Sequence, residues 1–257
     1  TRNELAAIAG DENEIYDRFY QNLSFGTAGL RGVLGAGINR MNEYTVAQAA
    51  EAFARYLSKL PAEERQRGVA ISYDSRLRSD EFARLSASIL AAHGIPSFLF
   101  DALRPVPVLS FTIRHLNCIG GIMVTASHNP AKYNGYKVYG EDGGQLPPEA
   151  ADLVAREMSE IKDYRELKWE DISHYDGTGL ITIIGEDIDK AYNDMLLKLS
   201  ISPDIVKKHK DMKIVYTPLH GAGNKPVRRI LKDIGFENVY VVKEQENPDG
   251  HFPTVEF

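Results

Sequence analysis

Ser127 stands in Thr125-Ala126-Ser127-His128-Asn129-Pro130, at the end of the apolar run Gly121–Thr125. A hydroxyl at the carboxyl end of a buried strand lies where α/β sheets build their ligand crevices. Pro130 biases Asn129 towards an extended backbone, so Ser127 is expected at a loop tip and not inside a helix. Acyl transfer would need a base within reach. Neighbours in an extended chain point to opposite faces, which places His128 poorly for Ser127, and the pattern Gly-x-Ser-x-Gly is absent. Phosphoryl transfer depends more on charge compensation and positioning than on covalent activation, and it suits such a serine better. The non-catalytic alternative is a turn in which the serine caps and Asn-Pro shapes the chain.

Cations suited to an anionic ligand occur elsewhere. Arg31 sits among Gly29, Gly32, Gly35 and Gly37; glycines permit tight turns and close backbone approach, while a guanidinium grips phosphate oxygens in pairs. A surface turn carrying a solvated arginine is the alternative. Lys137 is central in the expected strand Tyr136–Tyr139, on one face with Val138 on the other. His128 is expected to meet substrate and Asn129 to shape the loop. Asp74 and Arg76 suggest a strand-end salt bridge supporting the serine loop, and His220 lies in a second glycine-containing loop, outside the chemistry. Asp187-Ile188-Asp189 reads as helix N-terminal charge.

The elements that must position these groups follow from apolar spacing. Helices are expected over Glu4–Leu23, after a Thr45 cap as far as Pro61, and over Ser79–His93, Val106–Leu116, Pro147 to Ile161, Asp187–Leu199 and Lys225–Ile234. Strands are expected at Val69–Tyr73, Ser97–Phe100, Gly121–Thr125, Tyr136–Tyr139, Leu180–Ile184, Lys213–Tyr216 and Val239–Val242. Ser24–Gly37 and Ala126–Gly135 read as loops, and Tyr164–Gly179 as a surface linker. The alternation implies an α/β layered sheet with helices on both faces, in parallel or mixed pairing. One complete domain (1–185) is followed by the start of a second, similar one (186–257).

The chain has 257 residues, 43% of them hydrophobic, and a net charge of −6, which does not suggest a nucleic-acid partner. Glu141–Asp176 holds 11 acidic and 4 basic residues, so the rest of the chain sums to +1 and can form a positive cleft. No apolar stretch approaches the ~18 residues of a membrane span. The single cysteine, Cys118, excludes an internal disulfide, suggests a reducing compartment and is expected to pack in the core. With no basic-then-apolar leader, a cytoplasmic setting is expected.

Several segments together resemble the α-D-phosphohexomutase family of phosphoglucomutases and phosphomannomutases. Thr125–Pro130 is similar to its active-site serine motif, Phe25-Gly26-Thr27-Ala28-Gly29-Leu30-Arg31-Gly32 to its arginine loop, and Tyr73-Asp74-Ser75-Arg76 to its first-strand turn. Asn134–Tyr139 resembles the strand after the serine loop, and Thr217–Gly223 the second-domain loop of the phosphoglucomutase and phosphopentomutase branch. The resemblance covers nearly the whole chain, in the expected order. It implies that Ser127 is phosphorylated, gives its phosphoryl group to a sugar monophosphate and recovers the other phosphate of the resulting bisphosphate. Glucose 1,6-bisphosphate would be both intermediate and activator. It also implies that Arg31 contacts the phosphoserine, that Lys137 moves the proton of the attacking or leaving hydroxyl, and that Arg31, Ser127, His128, Asn129 and Lys137 bind substrate. Mg²⁺ would meet a phosphate oxygen on Ser127. The family's Asp-x-Asp-x-Asp-Arg metal loop does not occur here. In the family a stretch like Asn247–Gly250 precedes that loop, so truncation at Phe257 and an inactive isolated fragment are expected. The partners implied are small sugar phosphates. Phosphomannomutase and phosphopentomutase remain alternatives for the substrate, as does a non-catalytic sugar-phosphate-binding protein of the same fold.

Overall fold

A computed structural model describes residues 1–26 and 29–255. Thr27 and Ala28 of the expected arginine loop, and the expected end point Phe257, lie outside the described residues.

The chain opens with two short helices, α1 (Arg2–Ala7) and α2 (Glu12–Phe19), where one helix over Glu4–Leu23 is expected. The break has a local cause: the Asp11 carboxylate accepts from the amides of Asn13 and Glu14 and starts a new helix just after Gly10. Strand β1 (Gly29–Val33) follows, so Arg31 lies on a strand and not in the expected loop. Next come α3 (Glu43–Ser58), α4 (Ala62–Arg65), β2 (Val69–Tyr73), α5 (Ser79–Ala92), β3 (Ser97–Phe100) and α6 (Val106–His115). The N-cap of α3 is Asn42 and not Thr45. Thr45 occupies the third helical position, and its hydroxyl accepts from the Asn42 amide to close a capping box.

Strands β4 (Gly120–Val124) and β5 (Tyr133–Gly140) flank the serine loop, then α7 (Pro148–Glu160), β6 (Ile181–Ile184) and α8 (Glu186–Lys198). The final elements are α9 (Pro203–Lys208), β7 (Lys213–Tyr216), α10 (Asn224–Ile234) and β8 (Asn238–Val241).

The larger sheet has the order β1-β5-β4-β2-β3-β6. Strands β4, β2, β3 and β6 pair in parallel, while β1–β5 and β5–β4 are antiparallel. Every residue of β2 and β4 is buried, as expected of parallel strands covered on both faces. On one face Val69, Ile71, Ile122, Val124, Tyr136 and Val138 pack against α3, α5 and α7. On the other, Ala70 and Met123 pack with Leu109 and Ile113 of α6 and with Cys118, whose thiol burial pushes up to about 12. The fold class is as expected. Part of the supposed linker is not solvated, however: Leu167 is buried, and Tyr164, Trp169 and Ile172 pack on the main core, because their apolar surface outweighs the acidic residues between them.

The second unit is a parallel β7–β8 pair with α10 crossing between them. It meets the first through α8, whose Ile188 packs with Phe100 and Val108. Among the described residues no helix is long and apolar enough to cross a membrane.

Candidate active site

The serine loop joins two adjacent antiparallel strands, β4 and β5, and the ladder continues into it through Thr125 N–H donating to Gly135 O at 3.0 Å. Gly135 permits this approach: a Cβ there would lie 2.5 Å from the Thr125 carbonyl. Ala126 is buried while Ser127 and His128 are exposed, and Ser127 takes a left-handed backbone with φ of 57°. That turn changes one expectation. Ser127 and His128 are not in extended chain, and Ser127 Oγ lies 3.4 Å from His128 Nδ1 instead of facing away. The separation is long for a hydroxyl–imidazole hydrogen bond.

The loop is held from beneath. Thr125 Oγ1 donates to Asp74 Oδ2 at 2.5 Å and accepts from Ser127 N–H at 3.0 Å. Asp74 also accepts from the Arg76 amide and the Ser79 hydroxyl. Burial pushes the Asp74 carboxyl up, against the Thr125, Arg76 and Ser79 donors and the Arg76 charge.

Arg76 is 4% exposed and supports the loop chiefly through main-chain oxygens. Its guanidinium donates to the carbonyls of Pro130 at 3.0 Å, Tyr133 at 2.9 Å, Ser127 at 2.9 Å and Asn129 at 2.5 Å. The expected salt bridge to Asp74 is present at 3.4 Å from Nε, which has no hydrogen-bond partner among the described residues.

Strand register brings the two cations together. Gly29 lies opposite Lys137 and Gly135 opposite Arg31, so both side chains project from one sheet face as diagonal neighbours, each across from a residue with no side chain. The space so left is an open cavity of about 380 Å³ lined by Arg31, Lys137, Gln145 and the backbone around Gly29. Arg31 is exposed, and one guanidinium nitrogen donates to Asn129 Oδ1 at 3.3 Å, which ties the arginine strand to the serine loop. Lys137 is half-buried; burial first, and the Arg31 charge second, lower its pKa below 10.5, with Asp74 opposing.

Five expected site residues, Arg31, Ser127, His128, Asn129 and Lys137, therefore meet along β1, β5 and the loop between β4 and β5. His220 lies apart, buried in the second unit. Sequence reasoning misses Thr125 and Asn134 as supports. Asn134, fully buried, donates to Leu77 O and Ser79 Oγ, both at 3.0 Å, and its place before Gly135 is the only sequence hint.

Among the described residues no three His, Cys, Asp or Glu side chains converge as a metal site. Asp74, the carboxylate beneath the serine loop, is already bonded by three donors. These residues do not by themselves fit a complete Mg²⁺ site.

A family model described as phosphoglucomutase/phosphomannomutase, alpha/beta/alpha domain I, matches residues 22–165, and the domain II model of the same description matches residues 190–256. The chain is 36% identical over 254 residues to a human phosphopentomutase, spanning 96% of this chain and 41% of that protein. It is 37% identical over 233 residues to a phosphoglucomutase of Staphylococcus saprophyticus, spanning 91% of this chain and 41% of that protein. A crystal structure from Thermus thermophilus, which carries the provisional name phosphomannomutase, superposes with a TM-score of 0.69 at 28% identity. The superposition covers 92% of this chain and 48% of that one. The chain thus spans about two-fifths of the length of the curated relatives it matches.

Proposed function

Since the chain belongs to the phosphoglucomutase/phosphomannomutase family, we propose that it carries the phosphoryl-accepting serine of a phosphosugar mutase. The observation that carries this reading is the exposed Ser127 hydroxyl on a loop whose carbonyls converge on the Arg76 guanidinium, with Arg31 and Lys137 on the adjoining strands. The backbone is fixed while the side chain stays open, as a group that accepts and returns a phosphate requires.

In the forward half-reaction a sugar monophosphate hydroxyl attacks the phosphorus on Ser127 in line. The new O–P bond forms as the Ser127 O–P bond breaks, and the serine oxygen takes up the proton that Lys137 relays from the attacking hydroxyl. The attacking hydroxyl gives its proton to Lys137 in the neutral form, which a lowered pKa makes accessible. Arg31 balances charge on the transferring oxygens, and His128 and Asn129 contact the sugar phosphate. The bisphosphate turns over, and its other phosphate returns to Ser127 by the same steps in reverse.

Glucose phosphate, exchanged between C1 and C6 through glucose 1,6-bisphosphate, is the leading substrate. The phosphopentomutase relatives, as similar as the phosphoglucomutases, support a pentose phosphate as the second reading. Mg²⁺ belongs to this proposal through a phosphate oxygen on Ser127, with its remaining ligands outside the described residues. Because the curated relatives are more than twice as long, the 257-residue chain alone is expected to isomerise little or no glucose 1-phosphate. A cytoplasmic setting belongs to the same proposal.

The test is labelling of the full-length protein with phosphate-labelled glucose 1,6-bisphosphate. Wild type takes up label and Ser127→Ala takes up none; equal labelling of the two removes the serine from this role.

A further inference from the structure

Far from Ser127 in sequence, Leu219 and His220 adopt left-handed backbones in succession, with φ of 49° and 58°. Two such non-glycine residues are strained and persist only where their surroundings over-determine them. Here the surroundings fix the His220 ring. It is 3% exposed, Nδ1 lies 3.0 Å from Asn247 O, and Nε2 lies 2.9 Å from Thr254 Oγ1. A carbonyl only accepts, so Nδ1 carries the proton and donates, and in the neutral ring Nε2 accepts from the Thr254 hydroxyl. The His220 amide adds a bond to Gln245 O at 2.9 Å. One imidazole therefore closes both ends of the segment Asn247–Thr254.

That segment lies against the support of the serine loop. Gly250 is buried where a Cβ would stand 2.6 Å from the Leu77 amide nitrogen, so only a bare backbone approaches there. Two residues on, Phe252 takes a φ of 49° and its ring centre lies 5.2 Å from the Arg76 guanidinium carbon. Arg76 in turn holds the carbonyls of Ser127, Asn129, Pro130 and Tyr133.

We infer that His220 is a positioning residue: by pinning the Asn247–Thr254 segment it seats Phe252 on Arg76 and thereby sets the position of the Ser127 loop from the second unit. The coupling is a property of the fold. Its consequence for phosphoryl transfer rests on the function proposed above.

Two measurements on the full-length protein separate these levels. Hydrogen exchange across residues 125–133 needs no activity. In His220→Ala and in Phe252→Leu, which keeps an apolar side chain of similar reach, exchange there is expected to rise at least about fivefold. The double variant should exchange no faster than either single one, because both remove the same link. His220→Asn, whose side-chain NH2 can replace Nδ1–H towards Asn247 O, should restore most of the protection. Unchanged protection of 125–133 in both single variants, or effects that multiply in the double variant, overturns the inference. The second measurement is single-turnover discharge of phosphate from Ser127 to glucose 1-phosphate. It is expected to slow about ten- to a hundredfold in His220→Ala with KM within twofold of wild type, since small displacements of a reacting group carry costs of this order. A raised KM with unchanged discharge overturns the catalytic consequence. If the wild-type serine takes no phosphate, the functional reading fails while the exchange result still decides the coupling.

Discussion

The guanidinium of Arg76 donates to the main-chain carbonyl of Ser127 at 2.9 Å, so the serine is located through its backbone and its hydroxyl is left unengaged from below. The same group serves three further carbonyls of the loop. Arg76→Lys keeps the charge beside Asp74 but cannot reproduce the planar fork, and it leaves part-buried carbonyls without donors. A loss of about 2–4 kcal/mol is expected from such hydrogen bonds to a charged group. Urea unfolding measures it, and a loss below about 1 kcal/mol, the scale of a single ordinary hydrogen bond, would contradict the clamp.

Lys137 provides the pH signature. Burial and then Arg31 lower its pKa, so its neutral form is populated at a lower pH than that of an ordinary lysine. The kcat/KM profile of the full-length protein is expected to show an ionisation below 10.5 that moves upward in Arg31→Gln, even though that variant is slower overall. A limb that stays in place without Arg31 would remove Lys137 as its source. The stability sign is the reverse of an ion-paired lysine. Between the lowered value and 10.5 the unfolded chain holds more protons, so this group's contribution to stability rises with pH across that window.

Strands buried on both faces are readable because they appear as short unbroken apolar runs; Val69–Tyr73 and Ser97–Phe100 fall where expected. Arg31 is expected on a loop because the glycines of β1 carry no periodic signal, although those glycines are what clears the space beside the cations. The expected helix over Glu4–Leu23 fails on a single capping carboxylate, Asp11. The site residues are readable as a set, and so is the Asp74–Arg76 pair beneath them, but the partners through which Arg76 holds the loop are not. Arg76 binds carbonyl oxygens, which every residue possesses, so no side-chain pattern marks its partners.

Arg104 and Asp189 join the two units in a way helix-terminal charge does not foresee. Asp189 lies in the first turn of α8, and both its oxygens accept from Arg104, Oδ1 from Nε at 2.7 Å and Oδ2 from a terminal nitrogen at 2.7 Å. Arg104 is 8% exposed, so Asp189→Asn leaves a largely buried cation with Asp101 as its remaining carboxylate partner. Because that partner remains, a cost of about 1–3 kcal/mol is expected, less than for a fully unpaired buried charge. Faster limited proteolysis near residue 185 should accompany the loss. Wild-type resistance and stability in this variant would show that the pair contributes nothing to docking.

The central claim is that Ser127 holds a phosphate in transit. The most direct measurement is a pulse and chase on the full-length protein: label with phosphate-labelled glucose 1,6-bisphosphate, map the modified peptide by mass, then add unlabelled glucose 1-phosphate. The account predicts label on the peptide containing Ser127 and its rapid departure into sugar bisphosphate. Label on another residue, or label on Ser127 that the sugar phosphate cannot remove, would contradict it.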